Sequence, residues 1–588
     1  MCGINAIFAY SPDAASVSRD EVVRVRDAMT IRGPDGDGLW LSDDGRVGLG
    51  HRRLAIIDLS PQGAQPMASA DGMVRITYNG EIFNYRELRA ELEAEGRQFV
   101  SQSDTEVMLQ LYERDGPAMV ERLRGMFALV LWDERRRGLL LARDGFGIKP
   151  LYYADNGRSV RVASQVKALL AGAAIDTTPE AAGHAGFFLF GYVPEPHTLY
   201  RGIRSLPAGS TLWIDADGAR SPETYFDLSK TLATAPIADV DLRDALSDSI
   251  RHHLVADVPV GVFLSAGLDS TTITGLAAAN HGAGLDTMTL GFDAYRGTAN
   301  DEVPLAETVA EHYGTRHHTR WVDGDEFRDH LPDLLTAMDQ PTIDGVNVYF
   351  VAREAAALGL KVAMSGLGGD EMFGGYDTFR QVPGLVRNLG WIPGIGTIGA
   401  GIRTLAAPVM KPFMSPKYAA VFEYAGGYGD AYMLRRGLFM PWELPDLIGP
   451  DLARQGLADL DHRQRLAATV DGVEGAARRV TALESAWYMR SQLLRDADWA
   501  GMAHSLEIRV PLVDPFLFRR LAPALGRPGD PDKQAMASTP MPPLPDAVRR
   551  RPKTGFAIPV QDWLQGPNAQ ERGLRGWARQ VYAAQTAA

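Results

Sequence analysis

The pattern of predicted strands changes once along the 588-residue chain, and this change limits what the chain can fold into. Up to about residue 215, short β-branched and aromatic runs recur between Gly, Asp and Asn turns, with helical stretches between them. From about residue 239, almost wholly apolar runs such as Val258–Leu264 and Thr287–Phe292 alternate with helical patterns. Runs of the second kind are typical of a parallel sheet covered on both faces. We therefore expect an α+β unit of layered antiparallel sheets, followed by an α/β unit with a parallel sheet.

Composition places the boundary between these units and marks the end of the second. Residues 216–238 are polar and contain proline, and we interpret them as a linker between a first unit at 1–215 and a second at 239–565. Residues 566–588 are rich in Ala, Gln and Arg, so we expect a frayed tail.

Cysteine content, charge and hydropathy exclude several classes of protein. Cys2 is the only cysteine in the sequence, which excludes intramolecular disulfides and cysteine-based zinc or iron–sulfur sites. The formal net charge is −13, so the chain lacks the basic surface of a general nucleic-acid binder. The most apolar stretches, around Phe187–Tyr192 and Pro393–Ala407, are shorter than a membrane span or interrupted. We expect a cytoplasmic protein whose partners are small molecules, with no nucleic acid and no membrane among them.

The position of Cys2 indicates a nucleophile. Removal of Met1 would leave Cys2 with a free α-amine, which titrates at about 8, beside a thiol that titrates at about 8.5. The amine is then a usable general base for its own thiol at neutral pH. The alternative is an incidental cysteine near a flexible end.

Several downstream segments favour the nucleophile, and together they resemble a known family. Residues 1 to about 200 are similar to the class II glutamine amidotransferases, which belong to the N-terminal-nucleophile hydrolases. The segments that carry the resemblance follow Cys2-Gly3-Ile4 and are Arg32–Gly36, Gly50–Asp58, Tyr78–Asn84, Ser103–Glu106 and Arg143–Tyr153.

The resemblance implies a glutaminase site. Cys2 would attack the side-chain amide of glutamine, release ammonia and form a glutamyl thioester, while Asn79 and the Gly80 N–H would form the oxyanion hole. The remaining implied residues line the glutamine pocket: Arg53 for the α-carboxylate, the Glu81 backbone and Asp104 for the α-amino group, and Leu54, Ala55, Ile56 and Ile57 beside them. A cation and an anion at opposite edges suit an amino acid zwitterion.

In the second half, an apolar strand pattern ends in the turn Ser265-Ala266-Gly267-Leu268-Asp269-Ser270 and leads into a helical pattern. Backbone N–H groups at such a turn form a natural phosphate cradle. No P-loop lysine is present, and the alternative is a tight turn with a Ser/Asp helix cap. The turn resembles the pyrophosphate loop of ATP pyrophosphatases, which split ATP into AMP and pyrophosphate.

A second loop, Ser365–Tyr376, also follows an apolar strand pattern, and the two loops together resemble the asparagine synthetase family. The blocks Asp496–Asp514 and Arg550–Phe556 match that family as well. The resemblance implies ATP and Mg²⁺ as cofactors, with Asp269 and Asp370 as hard oxygen ligands for the metal. Lys553 would stabilise charge on the pyrophosphate. The residues implied for ATP are Leu264, Ser265, Gly267, Asp269, Ser270, Leu290, Ser365 and Gly366.

Three departures from the family lie where the acceptor should bind. Leu367 occupies the acyl-adenylate position, where the family usually has Asp or Glu, and leucine can neither accept a proton nor attract ammonium. Gln340 replaces a usual Glu, and Asp344-Gly345-Val346 differs from the usual Asp-x-Ser. ATP-dependent amide formation is therefore a firmer expectation than aspartate as the acceptor.

The resemblance as a whole implies a glutamine-hydrolysing ligase, most simply one that converts aspartate, glutamine and ATP into asparagine, glutamate, AMP and pyrophosphate. It also implies a homodimer. The alternatives are a relative that amidates a peptide, a sugar acid or a lipid-linked acid, a lactam-forming synthetase, or a non-catalytic sensor. Gly394–Gly399 matches a dinucleotide-binding fingerprint, but it follows Pro393 rather than a strand pattern, so we do not interpret it as one.

Overall fold

The computed structural model describes residues 2–172, 175–281, 284–410, 417, 420–526, 529–551, 563 and 574–586, with backbone alone at 405–410. Within these residues no helix combines the length and the apolar character needed to cross a membrane.

The first half of the chain consists of short strands with six helices among them. Its strands are β1 Gly3–Phe8, β2 Gly36–Leu41, β3 Val47–Arg53, β4 Met67–Ala68, β5 Val74–Ile82, β6 Gly125–Asp133, β7 Gly138–Arg143, β8 Tyr152–Asp155, β9 Val160–Ala163, β10 Arg204–Ser205, β11 Ser210–Asp215, β12 Gly218–Ala219 and β13 Glu223–Thr224. Its helices are α1 Arg19–Asp27, α2 Tyr85–Ala94, α3 Asp104–Asp115, α4 Val166–Leu170, α5 Ala181–Phe190 and α6 Leu228–Thr234.

These strands form two antiparallel sheets. One has the order β10-β8-β9-β1-β3-β2, and the other has the order β12-β11-β7-β6-β5-β4 with β13 paired to β11. Side chains alternate along β6, so that Val130 and Trp132 pack against Phe8 of the other sheet, with the Phe8 and Trp132 ring centroids 5.0 Å apart. Leu129 and Leu131 point the other way, into the core that includes α2 and α3. This layered arrangement confirms the α+β class predicted for the first half.

The described residues of the second half form five strands and a larger number of helices. Its strands are β14 Val260–Phe263, β15 Asp286–Phe292, β16 Arg316–Val322, β17 Val362–Met364 and β18 Glu507–Arg509. Its helices are α7 Leu242–His253, α8 Leu268–His281, α9 Val303–Tyr313, α10 Gly324–Ala337, α11 Val346–Ala357, α12 Gly369–Met372, α13 Thr378–Leu389, α14 Ile395–Met410, α15 Tyr428–Arg436, α16 Pro445–Ile448, α17 Pro450–Leu460, α18 His462–Thr469, α19 Ala476–Leu483, α20 Arg495–Met502, α21 Pro515–Leu521, α22 Lys533–Ala537, α23 Asp546–Arg549 and α24 Arg575–Thr586.

The five strands form one sheet in the order β16-β15-β14-β17-β18, and every neighbouring pair is parallel. Strands β15, β17 and β18 are buried along their whole length, as expected for a parallel sheet that is covered on both faces. The predicted α/β class of the second half is confirmed. The segment interpreted as a linker contains β12, β13 and α6, and the unit boundaries stay a prediction.

Buried ion pairs join the two halves. Arg32 of the first half binds Asp498 of α20 through two N–O contacts of 2.7 and 3.1 Å, and both side chains are almost inaccessible. Arg124 binds Asp514 and Asp248 of the second half at 2.5 and 2.7 Å. A buried charge that loses its partner is costly, so these pairs hold the halves in one relative position.

We expect Arg124→Met to lower the free energy of unfolding by about 3–5 kcal/mol, because Asp514 would be left buried without its cation. Urea unfolding of the whole chain measures this. The matched control is Arg454→Met, since Arg454 pairs with Asp451 at the surface and its loss should cost about 1 kcal/mol or less. Equal losses in the two variants would contradict a structural role for the buried pair.

Two candidate active sites

Cys2 lies immediately before β1 and is almost fully buried. Its backbone nitrogen donates a 2.9 Å hydrogen bond to Asn79 Oδ1, and its Sγ lies 4.0 Å from the carbonyl oxygen of Leu54. Arg32 Nε donates to the Cys2 carbonyl at 3.1 Å. Burial raises the pKa of the Cys2 thiol, so the thiol needs a nearby base to form the nucleophilic thiolate.

The side-chain amide of Asn79 has one engaged end and one open end. Its Oδ1 accepts from Cys2, whereas its buried Nδ2 has no hydrogen-bond partner among the described residues. A buried donor without a partner costs free energy until an acceptor reaches it. The amide is therefore oriented by Cys2 and leaves a donor for an oxygen that develops charge beside the thiol.

Gly80 fits a place that no larger residue can take. Strand β5 continues past Gly80 to Ile82 and stays paired with β6 along this length. A Cβ atom at Gly80 would lie 2.1 Å from the carbonyl oxygen of Met126. The glycine thus allows close pairing of the two strands at the point where Asn79 meets Cys2.

The predicted glutamine pocket places a cation near Cys2. The Arg53 guanidinium donates to the backbone carbonyls of Ser60, at 2.9 Å, and Asp58. Both acceptors are neutral peptide oxygens, so the positive charge of Arg53 is not cancelled by these bonds. The residues that follow Arg53 are mostly buried: Leu54, Ile56 and Ile57 are at most 6% exposed, and Ala55 is half-buried.

The predicted glutamine pocket also contains two buried acids, Asp104 and Glu81. Asp104 begins α3 and accepts hydrogen bonds from the Tyr78 hydroxyl at 2.8 Å and the Ile82 N–H at 3.0 Å, while burial raises the pKa of its carboxyl. Burial and the neighbouring carboxylate of Glu507 raise the pKa of Glu81. Glu507 belongs to β18, so the first half's pocket is electrostatically coupled to the second half.

The second site is a cavity of about 230 Å³ at the carboxyl ends of β14, β15 and β17. Ligands of parallel α/β sheets bind at this edge. Asp370 and Leu367 line this cavity. So do all eight residues predicted to contact ATP, which are Leu264, Ser265, Gly267, Asp269, Ser270, Leu290, Ser365 and Gly366.

The loop after β14 is held by its own hydroxyl groups. Ser270 Oγ lies 2.8 Å from Ser265 Oγ and accepts from the Ser265 N–H at 3.1 Å, and Ser265 Oγ accepts from the Gly267 N–H at 3.1 Å. Helix α8 begins at Leu268, so Asp269 and Ser270 lie in its first turn.

Glycines bring the two loops into contact. A Cβ atom at Gly366 would lie 2.9 Å from Asp269 Cβ, and one at Gly369 would lie 2.2 Å from Asp269 Oδ1. Only a chain without side chains at these points lets Asp269 and Asp370 share one cavity.

Lys533 is a site residue that the sequence did not reveal. Its Nζ contacts Asp269 and lies 2.8 Å from Asp370 Oδ1. Burial lowers its pKa, but the two carboxylates outweigh burial and raise it. Lys533 starts the short helix α22 in a stretch without a recognisable motif, and the Asp532 cap, which accepts from the Ala535 N–H at 2.8 Å, was the only local signal.

The three departures from the family pattern lie in different places. Leu367 lines the cavity of about 230 Å³, which we call the nucleotide cavity, and Gln340 is buried with its Oε1 accepting from the Leu199 N–H at 3.3 Å. Asp344, which begins the third departing segment, lies in a second cavity of about 370 Å³, together with Arg436 and Tyr488. Burial raises the pKa of the Asp344 carboxyl.

Lys553 and residues 552–560 around it lie outside the described residues, so its predicted role stays a prediction.

Two family models match the chain. The glutamine amidotransferase domain matches residues 1–226, and asparagine synthase matches residues 241–587. Asparagine synthetase [glutamine-hydrolyzing] 1 of Bacillus subtilis is 32% identical over 594 residues, which cover 99% of this chain and 90% of that protein. A putative asparagine synthetase [glutamine-hydrolyzing] of Mycobacterium tuberculosis is 34% identical over 601 residues, with 96% and 88% covered.

A solved structure of glutamine phosphoribosylpyrophosphate amidotransferase from B. subtilis, complexed with ADP and GMP, covers 54% of this chain and 81% of its own. Its identity of 16% and TM-score of 0.30 are too low to support a structural or functional inference. The family matches, in contrast, span both halves. The chain belongs to the glutamine-hydrolysing asparagine synthetase family and is a ligase for glutamine-dependent amide synthesis.

Proposed function

We propose that the chain activates a carboxylic acid with ATP and amidates it with ammonia taken from glutamine. Glutamine and water give glutamate and ammonia at Cys2. The acid and ATP give an acyl-adenylate and pyrophosphate in the nucleotide cavity, and ammonia then displaces AMP to form the amide. L-Aspartate is the acceptor to which the family points, which makes L-asparagine the product.

The observation that carries the proposal is the composition of the nucleotide cavity. Residues nearly a hundred positions apart, in the loops after β14 and β17, meet around Asp269 and Asp370. The start of α8 offers backbone N–H groups and the positive end of a helix, which favour phosphate. Lys533 adds a cation beside both carboxylates, which supports a site for the phosphates of ATP.

The donor set also fits magnesium. Mg²⁺ is usually bound by one or two carboxylates together with substrate phosphates, and Asp269 and Asp370 supply hard oxygen atoms on one side of the cavity. When bound, the ion would neutralise charge on the phosphates. Lys533 contacts both acids, so its ammonium group lies beside the same carboxylates and would also stabilise charge on the pyrophosphate.

In the first half, we assign Cys2 as the nucleophile and Asn79 Nδ2 with the Gly80 N–H as the oxyanion hole. The proton of the thiol would pass to the α-amine of Cys2 after removal of Met1. The 2.9 Å bond from the Cys2 nitrogen to Asn79 supports this, because it places the base and the hole beside one thiol. Arg53, the Glu81 backbone and Asp104 would hold the glutamine zwitterion.

Ammonia must then reach the second half before it is protonated, because ammonium is not a nucleophile. We propose that it crosses the buried interface between the halves. Arg32 links the Cys2 carbonyl to Asp498, so the nucleophile is fixed to the synthetase half. Lys149, fully buried close to Glu507, has no hydrogen-bond partner for its Nζ among the described residues. Such an unpaired group supports a wet or ligand-bearing passage there.

A different acceptor is the second candidate, and Leu367 favours it. Leu367 lines the nucleotide cavity, where an acid would otherwise receive a proton or attract ammonium. A larger carboxylate could instead use the cavity of about 370 Å³ that holds Asp344 and Arg436.

We expect Asn79→Ala to lower kcat for glutamine hydrolysis by about 10²–10³, because one oxyanion donor is lost. Glutamate release measures this. The matched control is Asn84→Ala, since the Asn84 amide only bonds the backbone of Arg122 and Arg124, at 3.0 Å each. Similar kcat values in both variants would remove Asn79 from the proposed oxyanion hole.

We expect Cys2→Ala to abolish glutamine-dependent amide synthesis and to leave synthesis from added ammonium salts intact, because the thiol serves only the first half. Amide formation is measured with each nitrogen source. Loss of both activities in a folded variant would contradict two separable sites.

We expect ATP–pyrophosphate exchange that requires both ATP and a specific acid. We expect the rate of this exchange to fall by at least about 100-fold in Asp370→Asn, because one carboxylate of the proposed metal site is lost. Glutamine hydrolysis by the same variant is the control and should stay unchanged. Release of ADP and phosphate instead of AMP and pyrophosphate would rule out the adenylate.

The same exchange assay separates the two acceptors. Exchange with aspartate supports asparagine synthesis. Exchange with another acid but not with aspartate assigns the site to the second candidate, in line with Leu367.

A further inference from the structure

One segment of the second half has a composition unlike the rest of the chain. From Thr378 to Phe422 the sequence contains no Asp or Glu, but it contains the basic residues Arg380, Arg387, Arg403, Lys411 and Lys417. The chain as a whole carries a net charge of −13. We call the part from α13 through α14, residues 378–410, the α13–α14 segment.

This segment also exposes large apolar side chains close together in sequence. Trp391, between the two helices, is 74% exposed, and Ile398 and Ile402, one turn apart on α14, are 54% and 40% exposed. The opposite face of α14 is packed, since Ile395 and Gly399 are buried and Gly399 lies against the backbone of Phe422. The exposed apolar face is therefore a property of a docked helix and not of a detached one.

Basic residues precede these exposed apolar side chains in the sequence. Arg387 is exposed, precedes Trp391 by four residues, and has no ion-pair partner among the described residues. Arg380 is 81% exposed and makes only a 3.3 Å surface pair with Asp377. Arg403 pairs with Glu423 at 2.5 Å, so among the described arginines of this segment Arg387 carries the unpaired positive charge.

An apolar face with tryptophan at its edge and arginines beside it is typical of helices that lie in the plane of a membrane interface. We propose that the α13–α14 segment docks on the surface of an anionic lipid bilayer. Trp391, Ile398 and Ile402 would enter the boundary between headgroups and acyl chains, and Arg387 would bind lipid phosphates.

The positive charge near this face favours an anionic bilayer over a second copy of the chain as its binding partner. A two-fold contact through this face would bring the unpaired Arg387 of both copies into one interface, which is unfavourable. An anionic surface is complementary instead. The chain's overall negative charge does not prevent the contact, because screening limits each charge to about 10 Å at ordinary salt.

The proposal departs from the expectation that no membrane is among the partners. That expectation was based on the lack of a membrane-spanning segment, and a contact with the membrane surface does not need such a segment. It also bears on the acceptor. Helix α13 starts two residues after Tyr376, which lines the nucleotide cavity, so the surface adjoins the synthetase half. Resting on the proposed function, this position favours an acceptor carboxylate carried on a lipid.

Vesicle flotation tests the docking with the full chain. We expect the protein to float with vesicles of phosphatidylglycerol and phosphatidylcholine in equal amounts, to stay behind with phosphatidylcholine alone, and to be released by added salt. Trp391→Ala and Arg387→Glu should each lower the partition coefficient by about fivefold or more. The matched controls are Ile237→Ala and Arg454→Glu, which alter equally exposed residues outside the segment and should float as the original chain does.

Glutamine hydrolysis by each variant reports that it is folded. Absence of flotation, or flotation that both segment variants retain, would overturn the proposal. So would a dimer in solution that Trp391→Ala dissociates, or binding to polyglutamate without binding to vesicles. ATP–pyrophosphate exchange with soluble acids tests the synthetase independently, so a failed docking and a failed function give different results.

Discussion

Arg32 connects the backbone of Cys2 to the other half of the molecule. Its Nε binds the carbonyl of Cys2, and its remaining nitrogens bind Asp498 in a pair that solvent hardly reaches. In such a buried setting neither charge can be left alone without a large cost, so the first residues of β1 and helix α20 cannot move apart separately. The position of Cys2 therefore depends on the synthetase half being in place.

Electrostatic coupling across the interface extends further than this pair. Glu81 belongs to the predicted glutamine pocket and Glu507 belongs to the parallel sheet, and burial together with the Glu507 carboxylate raises the pKa of Glu81. Arg509 binds Glu507 at 2.7 Å and lies 5.1 Å from the Phe83 ring of the first half. An interface with this much buried charge suits a passage for a small polar molecule better than an apolar contact would.

Both candidate sites depend on glycines that let two backbone segments approach closely. At Cys2, a glycine without space for a side chain lets β5 and β6 approach so that Asn79 can meet the thiol. In the nucleotide cavity, Gly366 and Gly369 let two loops approach so that two carboxylates share one cation. In both places the missing Cβ decides the distance between reacting groups.

Sequence alone determined the two fold classes and pointed to Cys2 and to the two loops as candidate site residues, because each depends on local patterns: strand periodicity, a cysteine at position 2, and small-residue turns before helices. It also located Leu367 as the departure at the acceptor position. Only the tertiary structure could reveal Lys533, whose partners Asp269 and Asp370 lie more than 150 residues away in sequence. The same holds for Arg32 with Asp498 and for the exposed face of α14, because burial and ion pairing depend on which distant segments pack together.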